Sequence, residues 1–146
     1  TLFRSDVVLR MEATQRYPGE EPQSSITQVS AEYYLRNGSH YVMFEETQEG
    51  FTEKVKGMLK IKKGSVELSK KGLIQSHMLF EDDLRYASEY RTPFGGFLMD
   101  VCTRQLNIVE CEEKIVMEIE YFLETEGRTV ADCFIKITIT EKQPVG

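Results

Sequence analysis

The chain has no apolar run approaching the ~20 residues that span a bilayer, and its opening Thr1-Leu2-Phe3-Arg4-Ser5-Asp6 lacks the basic and apolar regions of a signal peptide. Its 3 cysteines, Cys102, Cys111 and Cys133, form no CxxC pair and leave an odd thiol. Free thiols of this kind suit a reducing compartment, so a cytoplasmic protein is expected. Neither His40 nor His77 lies near a cysteine, which removes the ligand spacing of a structural zinc site. Basic residues are the minority, 18 Lys and Arg against 24 Asp and Glu, giving a net charge of −6. That balance argues against nucleic acid and against anionic membrane surfaces, both of which require a basic face. No nucleophile beside a base, no metal cluster and no phosphate loop is present, and Gly95-Gly96 alone is a turn. The reading is therefore of a non-enzyme, and with 40% hydrophobic and 29% charged residues the chain needs no cofactor or metal to fold.

What the sequence does contain is alternation. Ten short segments of alternating apolar and polar residues, punctuated by glycine turns, leave no room for a long helix. This predicts an all-β fold, a single antiparallel meander β-barrel of about eight to ten strands spanning residues 1–146 as one domain. The turns give a register. Asn37-Gly38 pairs Leu35 with His40, Tyr33 with Val42 and Ala31 with Phe44. A turn at Glu49-Gly50 then sets Phe44 opposite Val55, Val42 opposite Gly57, His40 opposite Leu59 and Glu45 opposite Lys54. Lys63-Gly64 places Leu59 against Leu68 and Ile61 against Val66, and the Lys70-Lys71-Gly72 loop aligns Leu68 with Ile74. Near the C-terminus a three-residue loop, Thr125-Glu126-Gly127, pairs Glu124 with Arg128, Tyr121 with Ala131 and Ile119 with Cys133. Lys114, Glu118, Glu120, Asp132 and Lys136 occupy the solvated face of that hairpin.

Three stretches are less regular. Tyr17 to Pro22 is a polar, proline-interrupted loop, and Glu81 to Arg85 is an acidic connection. After Phe97, Met99 and Val101 the apolar phase slips to Leu106 and Ile108, which places a β-bulge near Arg104.

The stretches Tyr41-Val42-Met43-Phe44-Glu45-Glu46 with Glu49-Gly50, Lys70-Lys71-Gly72, Met78-Leu79-Phe80, Tyr90-Arg91-Thr92-Pro93-Phe94-Gly95 and Tyr121-Phe122-Leu123 resemble the YwiB-like family. That family is a bacterial group, mostly from Gram-positive organisms, of uncharacterised proteins with a calycin-like β-barrel. The resemblance runs in order along nearly the whole chain and implies a cytosolic, lipocalin-like barrel of about this length. It carries over no catalytic or binding residues. Many members have Arg immediately before the turn glycine, where this chain has Lys71 before Gly72.

A barrel of this size is either filled by its side chains or holds one small ligand. The inward phase carries an unusual polar quota, and Tyr33, His40, Tyr86, Tyr90 and Tyr121 are the candidate lining of an interior site for a small, partly apolar molecule. The alternative is a solid barrel that docks a protein partner or a second copy of itself, forming a homodimer, through outward Tyr34, Tyr41, Val116, Phe122 and Phe134. Glu45 and Glu46 point to opposite faces and read as surface or rim carboxylates rather than an acid/base pair. His77 falls on the solvated phase, and Lys54, Lys56, Met58, Lys60 and Lys62 form a mostly basic outward row that is either simply solvated or meets something acidic.

Overall fold

In the computed structural model, which describes residues 3–142, the chain forms ten strands and, among the described residues, no helix. The opening Thr1-Leu2, part of the segment read for a leader, lies outside the described residues. The strands are β1 (Phe3–Arg16), β2 (Gln23–Arg36), β3 (Ser39–Thr47), β4 (Lys54–Lys62), β5 (Ser65–Gly72), β6 (Ser76–Phe80), β7 (Arg85–Thr92), β8 (Gly95–Glu110), β9 (Lys114–Thr125) and β10 (Arg128–Glu141). They form one antiparallel sheet in the order β6-β5-β4-β3-β2-β1-β10-β9-β8-β7, curled into a nearly closed barrel. The first and last strands pair with each other from Val7↔Glu141 to Arg16↔Asp132, so the ends of the chain lie in the middle of the sheet.

The two sheet edges, β6 and β7, are consecutive in sequence, and an isolated bridge at Gln75↔Arg91 closes one end of the seam between them. The acidic connection explains why no hairpin forms there. Asp82 Oδ1 accepts the Leu106 amide at 2.7 Å, the Asp83 amide donates to the Thr103 carbonyl at 3.1 Å, and the Thr103 amide donates to the Leu84 carbonyl at 3.0 Å. These bonds sew the connection onto β8 at its bulge and deliver β7 to β8 rather than back onto β6. The bulge itself lies between Thr103 and Gln105, at the position that the phase slip predicts.

The Asn37-Gly38 hairpin keeps its expected register, with Leu35↔His40 and Tyr33↔Val42, and both turn residues have the positive φ (52° and 77°) that a tight two-residue hairpin turn requires. The Lys63-Gly64 hairpin also agrees, with Leu59↔Leu68 and Ile61↔Val66. Three registers differ from expectation. Between β3 and β4 the chain makes a longer loop, since β3 stops at Thr47 and β4 starts at Lys54, so His40 faces Ile61, Val42 faces Leu59 and Phe44 faces Gly57. Glu45 consequently lies opposite Lys56, and it meets Lys54 only diagonally, at 3.4 Å. β5 continues to Gly72 against Val55, which sets Leu68 opposite Met78 rather than Ile74. At the C-terminal hairpin the turn is Glu126-Gly127, with Thr125↔Arg128, and a bulge between Thr129 and Ala131 brings Tyr121 opposite Cys133 and Ile119 opposite Ile135. The shift there is two residues along the strand, so every side chain keeps its face.

Inward residues fill the middle of the barrel. Leu9, Val42, Leu59, Ile61, Phe80, Met117, Ile119 and Ile137 are almost wholly excluded from solvent and belong to one cluster. Two glycines are required by this packing. At Gly72 (φ 101°) a Cβ would run into the Lys54 carbonyl oxygen, and at Gly57 it would run into the ring of Phe44, which lies directly across the ladder. Gly57→Ala is therefore expected to lower stability by about 1–3 kcal/mol through overpacking. Denaturant midpoints would measure it. Much of the loss should return in a Phe44→Leu background, whereas an unchanged midpoint for Gly57→Ala would contradict the ring-on-glycine packing.

Candidate functional site

At one end of the barrel a hollow of about 240 Å³ opens between the ends of several strands. Val7 of β1, Ile115 of β9 and Ile139 of β10 give it apolar walls, and Tyr33, His40 and Glu110 give it a polar side. The Asn37-Gly38 turn builds the polar side. It brings β3 back along β2, so that His40 lies diagonally across from Tyr33 with ring centroids 5.7 Å apart. The Tyr33 hydroxyl lies 2.6 Å from His40 Nδ1, and His40 Nε2 lies 2.8 Å from Glu110 Oε1. Burial first, and the Glu110 charge second, hold the Tyr33 phenol above its ordinary pKa, so it remains a donor. Both ring nitrogens of His40 are thereby engaged, and in the tautomer where the phenol donates to Nδ1, the Nε2–H is donated to the carboxylate. The histidine is thus the satisfied rim residue that general burial rules favour, and it is also fixed in orientation at a cavity wall.

The Glu110 contact is long-range in the sheet. Between β3 and β8 stand β2, β1, β10 and β9, so the His40–Glu110 bond reaches across the mouth of the barrel. Glu110 ends β8 in the phase of Leu106 and Ile108, just before the Cys111 to Glu113 turn, which is held by the Cys111 amide donating to the Lys114 carbonyl at 2.8 Å. Extending the inward phase past the bulge is the sequence signal that points to Glu110. Chemically the chain of Tyr33, His40 and Glu110 can orient a polar group of a ligand and relay a proton along its hydrogen bonds.

Of the five residues expected to line one interior cavity, Tyr33 and His40 come together here, and the other three do not join them. Tyr86 lies at the β6–β7 seam, with its hydroxyl 3.0 Å from His77 Nδ1. Exposed His77 also lies 3.2 Å from Glu67. Tyr90 is half-buried, its phenol raised by burial and then by nearby Glu46 and Tyr17. Tyr121 is buried against Phe80, with ring centroids 5.0 Å apart, beside the Cys133 thiol. The middle of the barrel is therefore packed by its own side chains, Tyr121 among them. Glu46 is a further inward polar group and not a solvated surface carboxylate: its side chain is 11% exposed, Oε2 lies 3.6 Å from Lys70 Nζ, and Oε1 is buried without a hydrogen-bond partner. Its phase with Val42 and Phe44 is the signal that places it inward.

This barrel has known relatives. The sequence matches the family described as Domain of unknown function (DUF1934) over residues 9–137. The chain belongs to that family. A solved structure shares its fold: the chain is similar to the crystal structure of ywiB protein from Bacillus subtilis at 18% identity, with a TM-score of 0.83, covering 96% of this chain and 94% of that one. At that identity the likeness establishes the barrel alone. No curated protein matches. The YwiB-like resemblance read from the sequence motifs is thereby supported.

Burial dominates the chemistry of the packed pair and pushes the Cys133 thiol up from 9.0 to about 11, with Tyr121 shifted upward as well. Both neutral forms are favoured in the fold; the Cys133 contribution is complete below the ordinary thiol value and is lost as pH rises through about 11, and the Tyr121 contribution persists to higher pH. Denaturant midpoints should fall across this alkaline window and fall less steeply in Cys133→Ala. A parallel decline in both proteins would contradict the assignment.

Proposed function

We propose that this protein is a non-enzymatic binding module that holds a small, partly apolar molecule at the barrel mouth formed by Tyr33, His40 and Glu110, rather than in the barrel's centre. The observation that carries this reading is the combination, in one hollow of about 240 Å³, of an apolar floor and a polar group fixed by hydrogen bonds on both sides. Ligand sites of other proteins share that division between apolar walls and a few placed polar atoms. The volume is below the ~300 Å³ at which drug-sized pockets begin, so the occupant is correspondingly small. No nucleic acid or membrane partner enters this reading, in keeping with the net charge of −6. Three free cysteines, one of them the exposed Cys111, favour a reducing, cytoplasmic setting. No helix among the described residues is long and apolar enough to cross a membrane.

A fragment screen followed by amide chemical-shift mapping tests the proposal. Binders should shift the amides of Val7, Ile115 and Ile139, and His40→Ala should weaken those with a polar head by about three- to tenfold, the worth of one hydrogen bond. Binders that map elsewhere, or that bind His40→Ala equally well, would overturn it.

A second reading, self-association, draws on the β7–β8 hairpin. Phe94 is 85% exposed and Leu98 74%, and the Phe94 ring meets half-exposed Phe51 edge-on at 6.2 Å between centroids. This apolar surface lies at the hairpin tip, whereas of the five residues on the barrel's flank Tyr34, Tyr41, Val116 and Phe122 are half-covered and Phe134 is exposed. A second copy of the chain would cover the tip, because apolar clusters of this kind are costly to leave in water. Sedimentation at increasing concentration should show a dimer that Phe94→Ser weakens; a wild-type monomer throughout would remove this reading.

A further inference from the structure

We propose that the gap in the barrel wall between β6 and β7 is a binding site for a small oxyanion, a molecule carrying phosphoryl or carboxylate groups, and that it is separate from the mouth. The gap follows from the topology. Among the described residues no ladder joins β6 to β7, and their edges are held by the Gln75↔Arg91 bridge at one end and the Glu81 to Leu84 connection at the other. Between these ties the Ser88 hydroxyl donates to the His77 carbonyl at 2.7 Å. A hollow of about 450 Å³ opens there.

The lining shows that this hollow passes into the wall rather than resting on it. Ser69, Lys71 and His77 come from the outer phase of their strands, while Lys70, Ser76 and Ser88 come from the inner phase. A surface dimple on an intact sheet would be lined by one phase only. Ser76 and Ser88 are buried, so the inner part of the gap is shielded from solvent, where a hydrogen bond to an anion is strongest.

The charge of the lining is opposite to that of the molecule. Lys70, Lys71 and Arg91 line it with one carboxylate, Glu89, while Glu46 and Glu67 reach Lys70 and His77 from outside the lining, and the whole chain carries a net charge of −6. Lys70 holds Glu46 at 3.6 Å from the inner side, and Arg91 Nε holds Glu89 at 2.7 Å. Lys71 has no acidic partner among the described residues and stands directly across the ladder from Lys56. Two lysines opposite each other repel, and an anion beside them relieves that repulsion. Lys56 of the basic outward row read from the sequence is thus the cross-strand neighbour of Lys71. An oxyanion seated there would accept from Lys71, Arg91 and the Ser76 hydroxyl, the Ser88 hydroxyl being committed to the His77 carbonyl, and it would meet the donor-bearing strand edges that lack a ladder.

Pyrophosphate titrated into the intact protein, followed by amide chemical shifts, tests the site, with sodium chloride at matched ionic strength as the control. Saturable shifts are expected at His77, Ser88 and Arg91, and Lys71→Gln and Arg91→Gln should each weaken binding by about tenfold, as loss of one charge-assisted bond implies. Lys136→Gln, on the distant outer face of β10, should bind as wild type does. Citrate in a second titration separates the sources: tighter binding of citrate makes the recognised group a carboxylate, and tighter binding of pyrophosphate makes it phosphoryl. Shifts that sodium chloride reproduces, or equal affinity in Lys71→Gln, Arg91→Gln and wild type, would overturn the proposal. Because both substituted side chains are exposed, and because the wild-type shift map alone locates the site, a folding defect in one variant would leave the test decisive.

Discussion

The alternation of faces along each strand is the constraint on which this molecule rests. A ten-stranded barrel has one inside, and each strand must supply apolar side chains to it at every second position. From that single requirement follow the filled centre around Leu59, Phe80 and Met117, the solvated row Lys114, Glu118 and Glu120, and the bulges, which are the places where the count along a strand must be corrected. At Thr103 to Gln105 the bulge restores the inward phase for Leu106, and its freed backbone is also what captures the Asp82 to Leu84 connection. One local irregularity thereby decides where the barrel wall is left open.

Much of this was legible in the sequence, and the misses have a common cause. Faces were readable because they depend on parity alone: Tyr121 points inward whether it sits opposite Ala131 or Cys133. Registers were readable only where the turn was a true two-residue loop, as at Asn37-Gly38 and Lys63-Gly64. Gly50 also has a positive φ, but it lies within a longer loop, because a glycine fixes a local backbone angle and not the number of residues around it. The bulge near Arg104 was legible because the apolar phase itself breaks there. The bulge after Thr129 was not, because Val130 is also apolar and hides the interruption.

The candidate site was legible only in part, for a reason of dimension. Strand phase tells which residues face inward, and nothing about their height along the barrel axis. Tyr33, His40, Tyr86, Tyr90 and Tyr121 share the inward face, yet Tyr121 is stacked on Phe80 in the packed core and only Tyr33 and His40 meet. Height comes from stagger, which accumulates from every register in the sheet. Tyr33 and His40 consequently lie at the mouth and Tyr86 at the seam, where water or a ligand can reach them, while Tyr121 joins the apolar side chains that keep the middle.

The pairing of β1 with β10 also divides the chain into two kinds of folding event. From β1 to β6, and again from β7 to β10, every ladder joins strands adjacent in sequence, so each of these meanders closes through short loops with little loss of chain entropy. The Val7↔Glu141 ladder alone brings together residues from opposite ends of the chain. Two locally paired half-sheets are therefore joined along one long-range ladder, and that ladder carries the largest loop-closure cost in the sheet.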